Sequence, residues 1–415
     1  MRKLRKGEKQ KKHRYWRINP FSRTETLLIL GGAFVACAGA YVLLDSKMGK
    51  AQPEAESAVD ARVAIVNDTA VATSTVRWYT GRLAAISIDN FSPTRPQWGL
   101  AGSLFVIEAP AEGGVTRFLA FYALDDAIST VDRIGPVRSA RPYFVDWAQG
   151  YGALLAHVGG SPEALTQITK DGIASINEFY QGGYFWHDTR IPRPHNTFTD
   201  IPSLSDYGES ISLASTTLVR EDPAFAAYFD EIYGSDTSEY PQTSGYVIAQ
   251  NAPYAADTLS TKFCDRNKMV TVAIQATGEK SGDCVPYEVR EVVLDFSFPE
   301  YKVEWLYDAS QSVYKRSQGG EKQYDAATGE PLIARTIVVQ ATDIATIDAI
   351  GRKRLRTEGE GDALILYHGR AAKMTWVREQ AGQLRIRNVR GEEMSLPYDH
   401  LWLEVVSTLD QVTYE

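Results

Sequence analysis

Apolar residues recur along the chain in two patterns that predict different elements. Residues 83–88 (LAAISI), 103–108 (SLFVIE) and 115–122 (VTRFLAFY) are short runs of β-branched and aromatic residues bounded by Gly, Pro and Asn, and they predict buried strands. Residues 139–149 (SARPYFVDWAQ) allow a helix with proline in its first turns, residues 153–157 a further strand, and residues 161–168 a second helix. That second helix opens on a serine N-cap followed by proline. Beyond about residue 285 the pattern becomes strand after strand: 364–367, 372–378, 384–389 and 401–406, with hairpin turns at His368-Gly369 and Arg390-Gly391-Glu392. The expected fold is α+β: a mixed α/β N-terminal domain (76–245), a connecting insertion (246–290) and a mainly antiparallel β C-terminal domain (291–408).

One segment fits neither pattern. Residues 27–44 (LLILGGAFVACAGAYVLL) hold no charge and no proline, and as a helix would span ~27 Å, close to the hydrocarbon thickness of a bilayer. A single transmembrane helix is expected there, with the bilayer as its partner. It follows a basic tail (1–26) and precedes a linker (45–75) of small and polar residues. Ten Lys/Arg against one acid in residues 1–23 place the tail in the cytoplasm and all that follows the span outside. Phe34-Val35-Ala36-Cys37 approaches a lipoprotein processing box. It has Phe where Leu is usual, and the apolar run continues seven residues beyond Cys37, so a retained anchor is expected.

Charge sharpens this division. The net charge is −8, so a tail of +9 leaves the rest of the chain at −17, a balance that disfavours nucleic-acid binding by the ectodomain. Cys264 and Cys284 are the two cysteines outside the span and are expected to form a disulfide in an oxidising compartment.

Candidate chemistry concentrates where polar residues meet Gly or Pro at strand ends between residues 89 and 200. Asp89, Asn90, Arg95, Arg117, Arg138, Ser139, Arg141 and Asn196 are candidate ligand-binding residues, because guanidinium forks beside a helix start suit an anion. The alternative is that the arginines pair with Asp89, Glu108 and Glu112 in a structural network. His157, His195 and Glu112 are the candidates for proton transfer. No phosphate-binding loop, dinucleotide fingerprint, nucleophile elbow or metal-ligand spacing is present, so neither cofactor nor metal is expected.

On IDNFSPTRPQWGL (88–100), EAPAEGGVTRFLAFY (108–122), RIGPVRSARPYFVDWA (133–148), HVGGSP (157–162) and PHNTF (194–198), the chain resembles the YerB-like family of bacterial lipoproteins and membrane proteins. TIVVQ (336–340), GDALILYHGRAAKMTW (361–376) and LWLEVV (401–406) extend the resemblance to a second domain. It implies a two-domain cell-envelope protein of uncharacterised activity. The stretch holding Cys264 and Cys284 resembles an insertion, so the resemblance does not imply the disulfide. Together these readings lead to an anchored extracytoplasmic protein that binds an anionic envelope ligand or a protein partner. The alternative is an envelope phosphotransferase or hydrolase acting on phosphate- or sugar-bearing wall precursors.

Overall fold

The computed structural model describes residues 76–125, 131–233 and 289–414, together with the backbone of three short strands, Lys262–Asp265, Lys268–Thr271 and Cys284–Val285. The expected anchor, tail and linker lie outside the described residues. Among the described residues no helix is long and apolar enough to cross a membrane. The Lys262–Asp265 and Cys284–Val285 strands pair in parallel with Lys262 opposite Cys284, and the expected bond between the Cys264 and Cys284 side chains lies outside what is described.

An eleven-stranded sheet organises the rest. Its spatial order is Glu393–Ser395, Arg385–Arg387, Arg370–Arg378, Gly359–Tyr367, Thr336–Ala341, Leu401–Val406, Phe105–Pro110, Thr116–Ala123, Leu83–Asp89, Leu154–His157 and Ser175–Asn177. The sequence separates a mixed α/β segment from a β-rich one, yet the two meet here. Leu401–Val406 pairs in parallel with Thr336–Ala341 on one side and with Phe105–Pro110 on the other. Every residue of Leu83–Asp89, Thr116–Ala123 and Leu401–Val406 is buried, as expected for central strands covered on both faces. Trailing hairpins follow their turn chemistry: His368 and Gly369 both take positive φ (50° and 73°) and join the Gly359 and Arg370 strands, as a two-residue hairpin turn requires.

Side-chain alternation assigns a different layer to each face. Phe105 and Phe121 point toward the helices, where Tyr151 at the end of helix Pro142–Gly150 packs on both rings. Phe118 and Trp402 point the other way, onto a second, antiparallel sheet ordered Glu321–Lys322, Val313–Gln318, Lys302–Asp308, Glu291–Asp295 and Val412–Tyr414. The described part is therefore a helix–sheet–sheet sandwich, in accord with the expected α+β class.

Between the two sheets lies a fully buried polar knot. Glu108 and Glu404 face each other across the parallel strand pair. Arg316, from the second sheet, forms an ion pair with Glu108, and both side chains are completely buried. Asn90 Nδ2 (3.0 Å) and the Thr116 hydroxyl also donate to Glu108, and Trp305 Nε1 donates to Glu404 (3.0 Å). Two carboxyls share one cation, so one of them is best held neutral. Burial, with the Glu108 charge beside it, pushes the Glu404 carboxyl well above its usual range.

Arg316→Met should cost ~3–5 kcal/mol by stranding Glu108, whereas Arg77→Ala, which breaks an exposed pair with Glu221, should cost less than ~1 kcal/mol. Urea denaturation midpoints measure both. A carboxyl whose folded pKa is raised binds its proton in the folded chain while the unfolded chain has released it, so stability falls as pH rises above the ordinary glutamate value. Glu404→Gln should remove that fall, and melting temperatures between pH 5 and 8 should show the variant gaining on its parent as pH rises.

Candidate functional site

The segment Arg133 to Arg141 shapes the carboxyl ends of the central strands. It begins with the Arg133 guanidinium between the rings of Trp98 and Phe198 (4.3 and 4.0 Å to the ring centroids), paired with Asp188 at 2.9 Å. Gly135 has φ +145°, and a Cβ there would lie 2.9 Å from the Thr197 carbonyl oxygen, so glycine is needed where the segment enters. Backbone bonds then fasten it on both sides: Asp89 N–H donates to the Pro136 carbonyl (2.9 Å), Arg138 N–H to Ser87 (2.8 Å), Val158 N–H to Arg138 (3.0 Å) and Ala140 N–H to Gly159 (3.0 Å). Arg138 and Arg141 thus sit at the carboxyl ends of the Leu83 and Leu154 strands, where open α/β sheets hold their ligands.

Five charged side chains and a histidine meet there on the helix-facing side. Glu112 takes Arg117 Nη2 at 2.9 Å and Arg141 Nε at 3.0 Å, with a further bond from Arg141 Nη2. Although burial raises it, the Arg117 and Arg141 charges hold the Glu112 carboxyl down at about 2. Asp89, nearly fully buried, takes His195 Nδ1 at 2.5 Å, and Arg138 Nε lies 3.4 Å from the same oxygen without hydrogen-bond geometry. Arg138 Nη1 donates to the Pro194 carbonyl (2.9 Å), and among the described residues its Nη2 has no partner. Three guanidiniums face two carboxylates, leaving one positive charge uncompensated. Burial, and after it the like charges of Arg117 and Arg141 working against Asp89, pulls Arg138 below the ordinary guanidinium range.

The other candidates divide by face. Asn90 follows Asp89 but points to the opposite side, into the Glu108 knot. Arg95 joins it there, donating to Asn90 Oδ1 (3.0 Å) and to the Glu300 carbonyl (2.7 Å). Those two belong to the interface between the sheets. Asn196 is buried, with its amide on the Asp188 carbonyl (3.3 Å), and Ser139 contributes its carbonyl to Arg117 (3.0 Å). His157 is buried with Nδ1 2.7 Å from the Gly159 carbonyl and Nε2 unpartnered. Burial lowers its pKa, which keeps the ring neutral. Of the three proton-transfer candidates, Glu112 is engaged as an anchor for two arginines, and His195 alone is both partly exposed and paired with a carboxylate. Sequence reasoning paired Glu108 with the N-terminal arginines and missed Arg316, its true partner 208 residues away. It also missed Asn177, whose Oδ1 takes the N–H groups of Gly159 (3.0 Å) and Phe179 (3.2 Å).

A depressed carboxylate stabilises the fold above its unfolded pKa, and that contribution is lost as pH falls through the folded value. For Glu112 the window runs from about 4.5 down to about 2, with ~2–3 kcal/mol at stake. Glu112→Gln should destabilise at pH 7 and match its parent near pH 2, a convergence that denaturation midpoints across this range measure.

Two family models match the chain: the N-terminal domain of DUF3048, a protein family of unknown function, over residues 69–213, and its C-terminal domain over residues 292–403. The first match holds the whole arginine cluster, and the second holds five of the six strands that the C-terminal half adds to the main sheet in full and the first half of the sixth, Leu401–Val406. A Bacillus subtilis (strain 168) protein described as "Putative lipoprotein YerB" is 25% identical over 331 residues, covering 79% of this chain and 82% of that protein. The crystal structure of YerB from Bacillus subtilis superposes with a TM-score of 0.59 at 23% identity, over 81% of this chain and 94% of the other, and so shares the fold. With both paired domains matched in order and the fold held in common, this chain belongs to the YerB-like family of DUF3048 proteins.

Proposed function

We propose that this is an envelope-associated binding protein that takes an anionic ligand at Arg138. The observation that carries the reading is the unpartnered Nη2 of Arg138, whose guanidinium is ion-paired to Asp89 through Nε at 3.4 Å. Arg117 and Arg141 are spent on Glu112, whereas Arg138 keeps an unpartnered Nη2 beside a network already one positive charge in excess. A phosphate or carboxylate there gains a charge-assisted bond and relieves repulsion among three cations. The description of the related YerB as a lipoprotein supports an envelope location, and the apolar run at residues 27–44 supports anchorage of this chain to the membrane.

A second reading rests on His195. A histidine held by a carboxylate through Nδ1, with the other nitrogen turned outward, is the arrangement of a general base. Under this reading the same site performs phosphoryl transfer or hydrolysis on an envelope precursor.

Inorganic phosphate at 100 times its dissociation constant should stabilise the full-length chain by about 2.7 kcal/mol, raising its melting temperature by several degrees. Arg138→Gln should abolish the rise while leaving the unliganded melting temperature within a few degrees, since the loss of one hydrogen bond and of the 3.4 Å ion pair with Asp89 is offset by relief of repulsion from Arg117 and Arg141, and Asp89 keeps His195. Arg141→Gln should lower the unliganded melting temperature itself. A rise that persists in Arg138→Gln sinks the assignment of the site. If the second reading holds, His195→Asn retains phosphate binding and loses turnover.

A further inference from the structure

Two aromatic features are tied to the immediate neighbours of Arg138, each built with more fixation than a solvent-facing ring requires. Phe91 stacks on the His195 ring (centroids 5.0 Å apart, planes 17° from parallel), and His195 is bound to Asp89, the carboxylate beside Arg138. Along the Leu154 strand end the Phe179 ring rests on Gly159, so close that a Cβ on that glycine would lie 2.8 Å from its Cε2. Gly159 neighbours Val158, which donates to the Arg138 carbonyl. Asn177 ties the parts together: its buried amide oxygen takes both Gly159 and Phe179 N–H groups, its carbonyl takes the Tyr180 N–H (2.9 Å), and its own N–H donates to Gln181 Oε1 (2.9 Å). This fastened turn presents Phe179 and Tyr180 at 68% and 81% exposure.

Resting on the anion reading above, we infer that the ligand is a glycosyl phosphate, with its phosphate on Arg138 and its sugar ring against the aromatic faces that these contacts hold at the same strand ends. The C–H groups on the flat face of a pyranose carry partial positive charge and suit the negative face of an aromatic ring, while its hydroxyls stay wet. Rings already fixed in place lose little conformational entropy when they are covered. An anionic bilayer is the weaker match for the same groups. Arg138 lies within the network rather than on a basic surface, and the chain beyond residue 23 carries −17 by its sequence, which repels such a surface.

The test is calorimetric titration of the full-length chain, in a sugar-free nonionic detergent, with inorganic phosphate, methyl phosphate and glucose 1-phosphate. Glucose 1-phosphate is expected to bind about five- to tenfold tighter than methyl phosphate. Phe179→Ser and Phe91→Ser, both at exposed rings, should each narrow that ratio toward one without weakening methyl phosphate. Equal binding of all three ligands, unchanged in the aromatic variants, overturns the glycosyl inference and leaves the anion site standing. No binding of any of them overturns both.

Discussion

The buried ion pair between Glu108 and Arg316 is the constraint on which the rest of the structure depends. It closes the contact between the two sheets where a strand from residues 105–110 lies beside one from residues 401–406. Buried charge is costly, and breaking such a pair costs more than a well-packed apolar substitute would have. Once formed, however, the pair admits one register. Glu108 must face Glu404, Arg316 must come from the second sheet, and Asn90 must turn inward to complete the shell. Fixing Asn90 on one face of the sheet leaves Asp89, its neighbour, on the other. The strand-end cluster that holds His195 and Arg138 is thereby oriented from behind.

This division explains why polar residues crowd the strand ends between residues 89 and 200. Asn90, Arg95 and Glu108 are devoted to the joint between the sheets, whereas Asp89, Glu112, Arg117, Arg138, Arg141 and His195 make up the strand-end cluster. Glu112 shows how firmly that cluster is built, since two guanidiniums hold its carboxyl at about 2 and so keep Arg117 and Arg141 in place at any physiological pH. Arg138 is the member of this set with the most hydrogen-bonding capacity left over, since both its Nε and its Nη2 are unpartnered among the described residues, against the Nε alone in Arg117.

Much of the fold was legible in the sequence because it is locally encoded. The strand expected at 83–88 is Leu83–Asp89, and the helix expected from Ser161 is Pro162–Asp171, with the Ser161 side chain accepting from Ala164 N–H (3.3 Å). The hairpin at His368-Gly369 likewise formed as its turn residues required. The sharing of one sheet by both halves was not legible, because parallel pairing of residues 105 and 401 leaves no mark in either segment. Glu404 and Arg316 were invisible for the same reason: each sits alone in an ordinary strand and acquires its meaning from a partner more than 90 residues away. At the site, Arg138, Arg141, Asp89 and His195 stood out as polar residues beside Gly or Pro. Their separation from Asn90 and Arg95 follows from strand alternation, and the fastening of Phe179 depends on an asparagine that the sequence does not distinguish from any other.

Anomalous diffraction from crystals of the protein grown with tungstate, a heavy analogue of phosphate, would locate an anion at the strand ends without reference to any assay. One strong peak is expected within hydrogen-bond reach of Arg138 Nη2, beside the His195–Phe91 stack, with its loss in Arg138→Gln. A bound tungstate elsewhere, with Arg138 left to solvent, would contradict an anion site at Arg138.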